Sequence, residues 1–357
     1  DRRVAIALLH ASAAIASHRM RFGLPAVLRS TTAALSMSAA APRFSVAFDG
    51  VAELSALSSK EWLLSRPGGA YTTARTCSRA QRLFEWETHV TRTASSARAM
   101  VEAEADEARR ASLLKTTADV TDAARLRPRM TSTAAAAVDA WAAEYGPADE
   151  LKVTVLVTWD GDATTVGCHV APLPPLPAPP VRVEVRGAPR ANAAAKDSSW
   201  VAERAPLEAL MRGSNVGDVN ELLLVSDDGA ILEGSQTNFF AIEPAGAGKP
   251  SHVRTAGDGV LEGTVRRLLL EVCEREGIPV VLTPPQLADA ARWEGAMISS
   301  TSRLLLPVDE LYVPQPGACA EDADRVRRFG NGDGSLAARL RALVAEEVEA
   351  HSSALRE

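Results

Sequence analysis

Three observations predict an α+β protein built as two domains. Short apolar runs broken by Gly and Asp turns alternate with helix-favouring stretches, the pattern of sheets made largely from hairpins. The stretch "PLPPLPAPP", residues 172–180, places six prolines in nine residues and reads as a stiff extended connector. A length of 357 residues suffices for two cores on either side of it. The expected division is a small N-terminal domain over 44–171, the connector, and a larger C-terminal domain over 181–352. No internal repeat is visible.

Taken in order, residues 1–43 stand apart. After Asp1 no acidic residue occurs until Asp49, while arginines stand at 2, 3, 19, 21, 29 and 43 among Ser and Ala. That composition suits an organellar transit peptide, plastid or mitochondrial, or else a disordered tail. Globular patterning begins at "RFSVAFDG". "GAYTTARTCSRAQRLFEW" reads as two strands around a turn, with a helix opening near Thr88. Residues 95–117 favour helix with mixed charge on a solvent face, and 132–144 form another, stopped by "YGP". "KVTVLVTWDGD" and "TTVGCHVAPL" make a strand, a turn at Gly161 and a strand. Beyond the connector the pattern predicts a strand at 181–186, a helix near 198–212, paired strands at 219–226 and 230–242, and a short strand at 252–255. A helix at 262–277, strands "PVVLT" and "GAMISSTS", and a last helix over 334–350 complete the chain.

Charge and cysteine content narrow the function classes. A formal net charge of −6 with no clustered Lys/Arg segment in the body argues against a dedicated nucleic-acid binder. Cys77, Cys168, Cys273 and Cys319 lie far apart with no CxxC, so neither a disulfide framework nor a zinc site is expected, and the six histidines show no ligand spacing. No apolar run reaches membrane-spanning length.

Three stretches carry polar groups where chemistry is possible. "ILEGSQTNFFAIE", 231–243, sets a glutamate and then an asparagine inside an apolar, β-branched and aromatic run. "GVLEGTVRR", 259–267, leads a glycine-containing loop into a helix, whose free N–H groups at Gly263, Thr264 and Val265 suit an anion or merely start a helix. "ISSTSRLLLPV", 298–308, ends a strand in four hydroxyls that can donate to phosphate or cap a turn.

As a set, in this order, these stretches resemble the class IV aminotransferases, the pyridoxal-phosphate enzymes of fold type IV. That family includes branched-chain and D-amino-acid aminotransferases and aminodeoxychorismate lyase. Glu233, Ser235, Asn238, Phe239 and Phe240 match one family motif, and Leu261, Gly263 and Arg266 the next. "GAYTTART" and "HVTRTASSA" resemble first-domain segments of the lyase and D-amino-acid branches, and the likeness spans about residues 66–308. It implies a D-amino-acid aminotransferase-like fold, with a small α/β domain and a larger domain holding a mainly antiparallel, pseudo-barrel sheet. It also implies pyridoxal 5'-phosphate as cofactor, small amino and 2-oxo acids as substrates, and a homodimer.

By that resemblance Glu233 is the carboxylate that keeps the cofactor's ring nitrogen protonated, the condition for its acting as an electron sink. Only Lys60, Lys115, Lys152, Lys196 and Lys249 are available to hold the cofactor as a Schiff base. Lys196, after the connector and before Glu233, matches the family order and would also shuttle the proton. Arg92, Thr264, Val265 and Thr301 would bind the phosphate. Tyr71 and Trp200 would line the substrate side, and His89 reads as structural. The chain departs from common family residues at Thr93, Ser198, Trp200, Glu262 and Thr264. The implied activities are transamination between an amino acid and a 2-oxo acid, elimination of pyruvate from aminodeoxychorismate, or, given the departures, a non-catalytic binding role.

Overall fold

The computed structural model describes residues 43–356 except 162, 213–217, 245, 247–249 and 314–325. The expectations placed on the N-terminal segment up to residue 42, on Lys249 and on Cys319 lie outside the described residues.

The first sheet is a set of antiparallel hairpins. β1 (Phe44–Phe48) and β2 (Val51–Ser55) are followed, after the short helix α1 (Ser59–Leu64), by β3 (Ala70–Cys77) and β4 (Arg82–Phe84). α1 starts where Ser58 and Glu61 form a capping box. Helices α2 (Trp86–Glu102), α3 (Glu107–Thr116) and α4 (Ala123–Tyr145) precede the long hairpin of β5 (Leu151–Asp160) and β6 (Ala163–Pro172). One face of β5 sends Val153, Val155 and Val157 into a core with Trp86, Val90, Leu126, Met130 and Ala134 of α2 and α4. The other face sends Lys152 and Thr154 toward a cavity, and Leu156 into a small cluster with Val46, Trp62 and Tyr71. Residues 153–157 therefore show little of the alternation of a half-exposed strand, because both faces are covered.

The second sheet starts beyond the prolines. It contains β7 (Arg182–Val185), β8 (Glu221–Val225), β9 (Ile231–Gly234), β10 (Asn238–Glu243), β11 (His252–Arg254) and β12 (Val280–Val281). β13 (Gly295–Ser300) and β14 (Leu304–Pro307) branch from β10, and β15 (Glu310–Tyr312) and β16 (Val326–Arg328) extend the β7 edge. Helices α5 (Ser199–Glu203) and α6 (Ala205–Arg212) lie between β7 and β8, and α7 (Thr264–Arg275) and α8 (Leu336–Glu346) pack on β10 and β13. Phe240 enters that helical core while its neighbour Phe239 enters the opposite one with Trp293 and Ile298, the two-residue alternation of a strand. The last strand, β17 (Ser352–Ala354), returns to the first sheet and pairs with β4.

The α+β class and the mainly antiparallel large sheet are present. Ladders β7–β8, β7–β15 and β11–β12 are parallel, and among the described residues the sheet branches at β10 without closing into a barrel. Four expected elements differ. The helix expected over 95–117 is broken after Glu102, because Asp106 caps a new helix through Arg109 N and itself donates its N–H to Glu104 Oε1 at 3.2 Å. The helix expected from 132 begins at Ala123, where Asp122 caps it. Pro128 is tolerated inside it, with Leu126 and Met130 fully buried on either side. Residues 198–212 form two helices, with Pro206 in the first turn of the second. The strand expected over 230–242 is instead a tight hairpin: Gly234 N donates to Thr237 O at 2.7 Å, setting Glu233 opposite Asn238.

Phe240→Ala should lower the unfolding free energy by about 3–5 kcal/mol in a denaturant titration, since its ring is wholly buried between α7, α8 and the sheet. Leu282→Ala, at a 53% exposed side chain, should change it by less than about 0.5 kcal/mol.

Candidate active site

One cavity of about 530 Å³ lies between the two sheets, and every residue expected at the site lines it: Tyr71, Arg92, Lys196, Trp200, Glu233, Thr264, Val265 and Thr301. Lys196 comes from an irregular loop, yet its backbone is tied down on both sides. Lys196 N donates to Ser96 Oγ of α2 at 3.1 Å, and Lys196 O accepts from Tyr71 N at 2.9 Å. Two residues on, Ser198 exchanges bonds with Gly69: Ser198 N donates to Gly69 O at 2.9 Å and Gly69 N to Ser198 Oγ at 3.0 Å. Gly69 is required there, because a Cβ would stand 2.1 Å from Val157 O. The amine lies 4.6 Å from the centre of the Tyr71 ring. Burial lowers its pKa to about 8, against Tyr71 and with help from Arg92, Arg204 and Arg190.

Glu233, on β9, is 4% exposed. Its Oε1 accepts from Arg190 Nε at 2.8 Å and Nη2 at 2.6 Å, and its Oε2 accepts from Leu261 N at 3.1 Å. Burial raises its pKa while Arg190 and the Leu261 N–H pull it back, and the net direction is upward. Oε2 keeps a lone pair for a further donor. Trp200 is committed on both sides: its Nε1 donates to Ser235 O at 2.8 Å, and the Arg190 guanidinium lies 5.2 Å from its ring centre.

Asn238, across the hairpin from Glu233, fixes the loop that enters α7. Its Nδ2 donates to Leu261 O at 2.8 Å, and a Cβ on Gly263 would stand 2.1 Å from its Oδ1. α7 starts at Gly263 without any side-chain cap, so the Thr264 and Val265 N–H groups remain for an anion. Thr264 and Thr301 hydroxyls bond each other at 2.9 Å. Arg92 reaches over from α2, donating to Glu262 O at 3.3 Å and Thr72 Oγ1 at 2.8 Å. His89 is buried beside it, sharing a 2.7 Å bond with Thr72 Oγ1, and so braces Arg92 from inside the fold. Glu262 is exposed, so the departure at that position sets no buried charge against an anion. Arg266 instead secures a neighbouring loop, donating to Ala256 O at 2.7 Å.

The expected cofactor fits this lining. Arg92 Nε and the Ser299 hydroxyl are buried with no protein partner, and both residues line the cavity with the uncapped start of α7. Buried donors of that kind suit a phosphate, which supplies several acceptor oxygens. Lys196, at the tied-down loop, and Glu233, opposite Asn238, line the same cavity and would supply the amine and the carboxylate that the ring of such a cofactor needs. The sequence reading missed Arg190 and Arg204. Arg190 lies in an irregular loop and Arg204 inside the helix expected near 198–212, neither in a motif, so only the fold shows that they converge on Glu233 and Tyr71. Among the described residues no group of three His, Cys, Asp or Glu side chains could hold a metal.

The Lys196 amine of the cofactor-free protein should acylate with a midpoint near pH 8, two units or so below an ordinary lysine. Its neutral, reactive form is lost as the pH falls below that value. Competitive labelling across pH with mass mapping of Lys196 against Lys115 checks this.

Comparison with known proteins bears on the family and the fold. A curated protein of Methanocaldococcus jannaschii, provisionally named a branched-chain-amino-acid aminotransferase, is 27% identical over 154 residues, 41% of this chain. The chain spans about half (50%) of that relative's length. A branched-chain aminotransferase of Thermoproteus uzoniensis, crystallised with norvaline, superposes with TM-score 0.59 at 16% identity over 87% of this chain and 99% of its own. A Mycobacterium tuberculosis protein described as a hypothetical aminotransferase, in its PLP-bound form, gives TM-score 0.54 at 20% identity over 86% and 98%. At these identities the superpositions speak to the fold. The family described as amino-transferase class IV matches residues 69–311, from the glycine bonded to Ser198 to the strand beside β7. The chain therefore belongs to the class IV aminotransferases, whose cofactor is pyridoxal 5'-phosphate.

Proposed function

We propose that this protein transfers an amino group between an amino acid and a 2-oxo acid, using pyridoxal 5'-phosphate. The observation that carries the reading is the sharing of one cavity by a desolvated lysine, a buried carboxylate and an uncapped helix start. Bound there, the cofactor supplies a protonated pyridine ring that stores the electron pair left when the substrate's α-carbon loses its proton.

The protein's own groups divide the remaining tasks. Thr264 N–H, Val265 N–H, Thr301 and Arg92 would hold the phosphate of that cofactor. Glu233 keeps the proton on the ring nitrogen. Its upward-shifted pKa gives it the proton affinity for a strong hydrogen bond there, while Arg190 and Leu261 N–H keep the carboxylate aimed. Lys196 would hold the cofactor through its amine, and its Nζ would accept the α-proton and return it. A pKa near 8 leaves a useful fraction of neutral amine at physiological pH.

Support for transamination in particular comes from the family and from the relatives' names; elimination of pyruvate by the same lysine and carboxylate is the alternative that product analysis separates. A homodimer and an organellar address, the latter from the arginine-rich residues 1–43, belong to the same proposal.

Reduction of the holoprotein with borohydride should bleach its visible absorption and leave the cofactor covalently on Lys196 in a peptide map. Lys196→Ala should abolish that adduct and lower amino-group transfer by roughly a hundred- to ten-thousandfold. Glu233→Gln should retain the adduct and still lose activity by about a hundredfold or more, equivalent to about 2.7 kcal/mol in the barrier. A protein that takes up no cofactor, or whose adduct maps to another lysine, is incompatible with the proposal.

A further inference from the structure

One wholly buried acid has no part in the contacts described so far. Glu221 opens β8 and is 0% exposed, although the residues after it, Leu222, Leu223 and Leu224, are apolar and buried. Its Oε1 accepts from Ser235 Oγ at 2.6 Å and from Leu222 N at 2.9 Å. Its Oε2 faces Arg303 Nη1 at 3.5 Å, an ion pair without a direct hydrogen bond. The carboxyl packs beneath the turn of the β9–β10 hairpin, where a Cβ on Gly234 would stand 2.8 Å from its Cγ. Ser235 belongs to that turn, and Arg303 closes the turn between β13 and β14, beside Thr301. Both turns line the cavity, and the β10–β13 ladder ends short of them, at Asn238 opposite Ser299.

A buried carboxylate is costly, and an apolar residue in its place is often neutral or stabilising. On stability alone a further leucine would serve β8 at least as well. What the acid supplies is a grip on both turns at once. From it two routes lead to Glu233. One is the hairpin backbone, since Gly234 alone separates Ser235 from Glu233. The other runs through Ser235 O, which accepts from Trp200 Nε1; the Trp200 ring backs Arg190, whose guanidinium donates to Glu233 Oε1. A turn free to shift would carry Glu233 and its partners with it, and a charge-assisted hydrogen bond weakens steeply when misaligned. We propose that Glu221 is a positioning residue of the active site: paired with Arg303, it locks the 234–237 turn and so aims Glu233 at the ring nitrogen of the bound cofactor. The inference rests on the amino-transfer reading of this site. In this role Glu221 touches neither cofactor nor substrate and acts through Ser235 and the hairpin. The consequence is narrow. Turnover and the proton on the ring nitrogen depend on Glu221, whereas the hold on the phosphate, at the start of α7 and Arg92, does not.

The test uses the holoenzyme reconstituted with cofactor labelled with nitrogen-15 in its ring. In Glu221→Leu, thermal unfolding should stay close to that of the unaltered protein and cofactor affinity within about threefold, while kcat falls roughly tenfold or more with little change in KM. By nitrogen-15 NMR the ring-nitrogen resonance should move toward its unprotonated position, which a merely supporting role would not cause. Glu221→Gln keeps an acceptor for Ser235 and loses the charge facing Arg303, and should recover part of both. In a Glu233→Gln background the Glu221→Leu loss should vanish, because the two residues act through one contact. A folded Glu221→Leu enzyme with unchanged kcat and resonance overturns the proposal. So does a loss of the same size in the Glu233→Gln background. Should Glu221→Leu not fold, Ser235→Ala removes the same bond from the other side and is held to the same outcomes. Full activity and an unmoved resonance in Glu233→Gln itself, or absence of a Lys196–cofactor adduct, would instead bring down the underlying reading.

Discussion

The site depends on a backbone constraint more than on any side chain: the loop that carries Lys196 is hydrogen-bonded into the edge of β3 and to α2. An amine on a four-carbon stem has about 2 kcal/mol of rotamer entropy to lose and prefers water. Here the main chain is fixed by bonds with Ser96, Tyr71 and Gly69, and the amine sits over the Tyr71 ring in the cavity. Desolvation and three nearby guanidinium groups then shift the amine toward its neutral form. The hydrogen bonds thus set the position, and the position sets the chemistry. Val157 O fills the space that a side chain at Gly69 would need, which explains a glycine at that site better than flexibility does.

The opposite wall obeys the same rule. Glu233 and Asn238 face each other because Gly234 permits the turn between them, with Thr237 Oγ1 only 2.2 Å from where a Cβ would be. Asn238 then grips Leu261 O, and Leu261 N binds Glu233, so one hairpin orients both the buried Glu233 carboxylate and the entry to α7. Arg190 is the partner that keeps this carboxylate compensated in a buried setting. Breaking such a pair by removing one member typically costs about 3–5 kcal/mol, because the remaining charge stays unpaired. Trp200 in turn covers the guanidinium, so the departure from the common family residue at that position has a structural consequence: an aromatic plate behind Arg190.

What could be read from the sequence follows from how local each signal is. Long periodic stretches such as 132–144 and 262–277 announced their helices, and Glu233, Asn238, Gly263 and Arg92 stood in motifs with fixed spacing. The hairpin inside 230–242 was hidden because "EGSQTN" lacks the Asn-Gly or Asp-Gly pair that marks a tight turn, and its polar residues sit within a β-favouring run. Asp106 and Asp122 reset helix boundaries through single capping bonds, an effect smaller than the propensity of the surrounding alanines yet decisive at an end. Arg190, Arg204 and Lys152 were not identifiable as site residues, since an arginine in an irregular loop, an arginine within a charged helical stretch and a lysine opening a strand look like surface charge. Only the convergence of separate elements on one cavity distinguishes them.

That convergence requires the two sheets to keep a fixed separation, and the chain achieves this away from the cavity. β17 crosses back to pair with β4, and the residue before it, His351, bonds Glu85 through both its carbonyl and its ring. Glu85 is buried in a left-handed conformation, φ 54°, at the start of α2, and Arg267 from α7 pairs with the same carboxylate. One acid therefore ties together the helix that bears Arg92, the helix whose start would hold the phosphate, and the C-terminal strand. A positive φ at glutamate is unfavourable by itself, and it persists because partners from distant parts of the sequence hold it. The phosphate end of the cavity is rigid for this reason. The far end relies on the Arg204–Glu208–Lys60 cluster, which is partly open to solvent and has room to adjust to the length of a substrate.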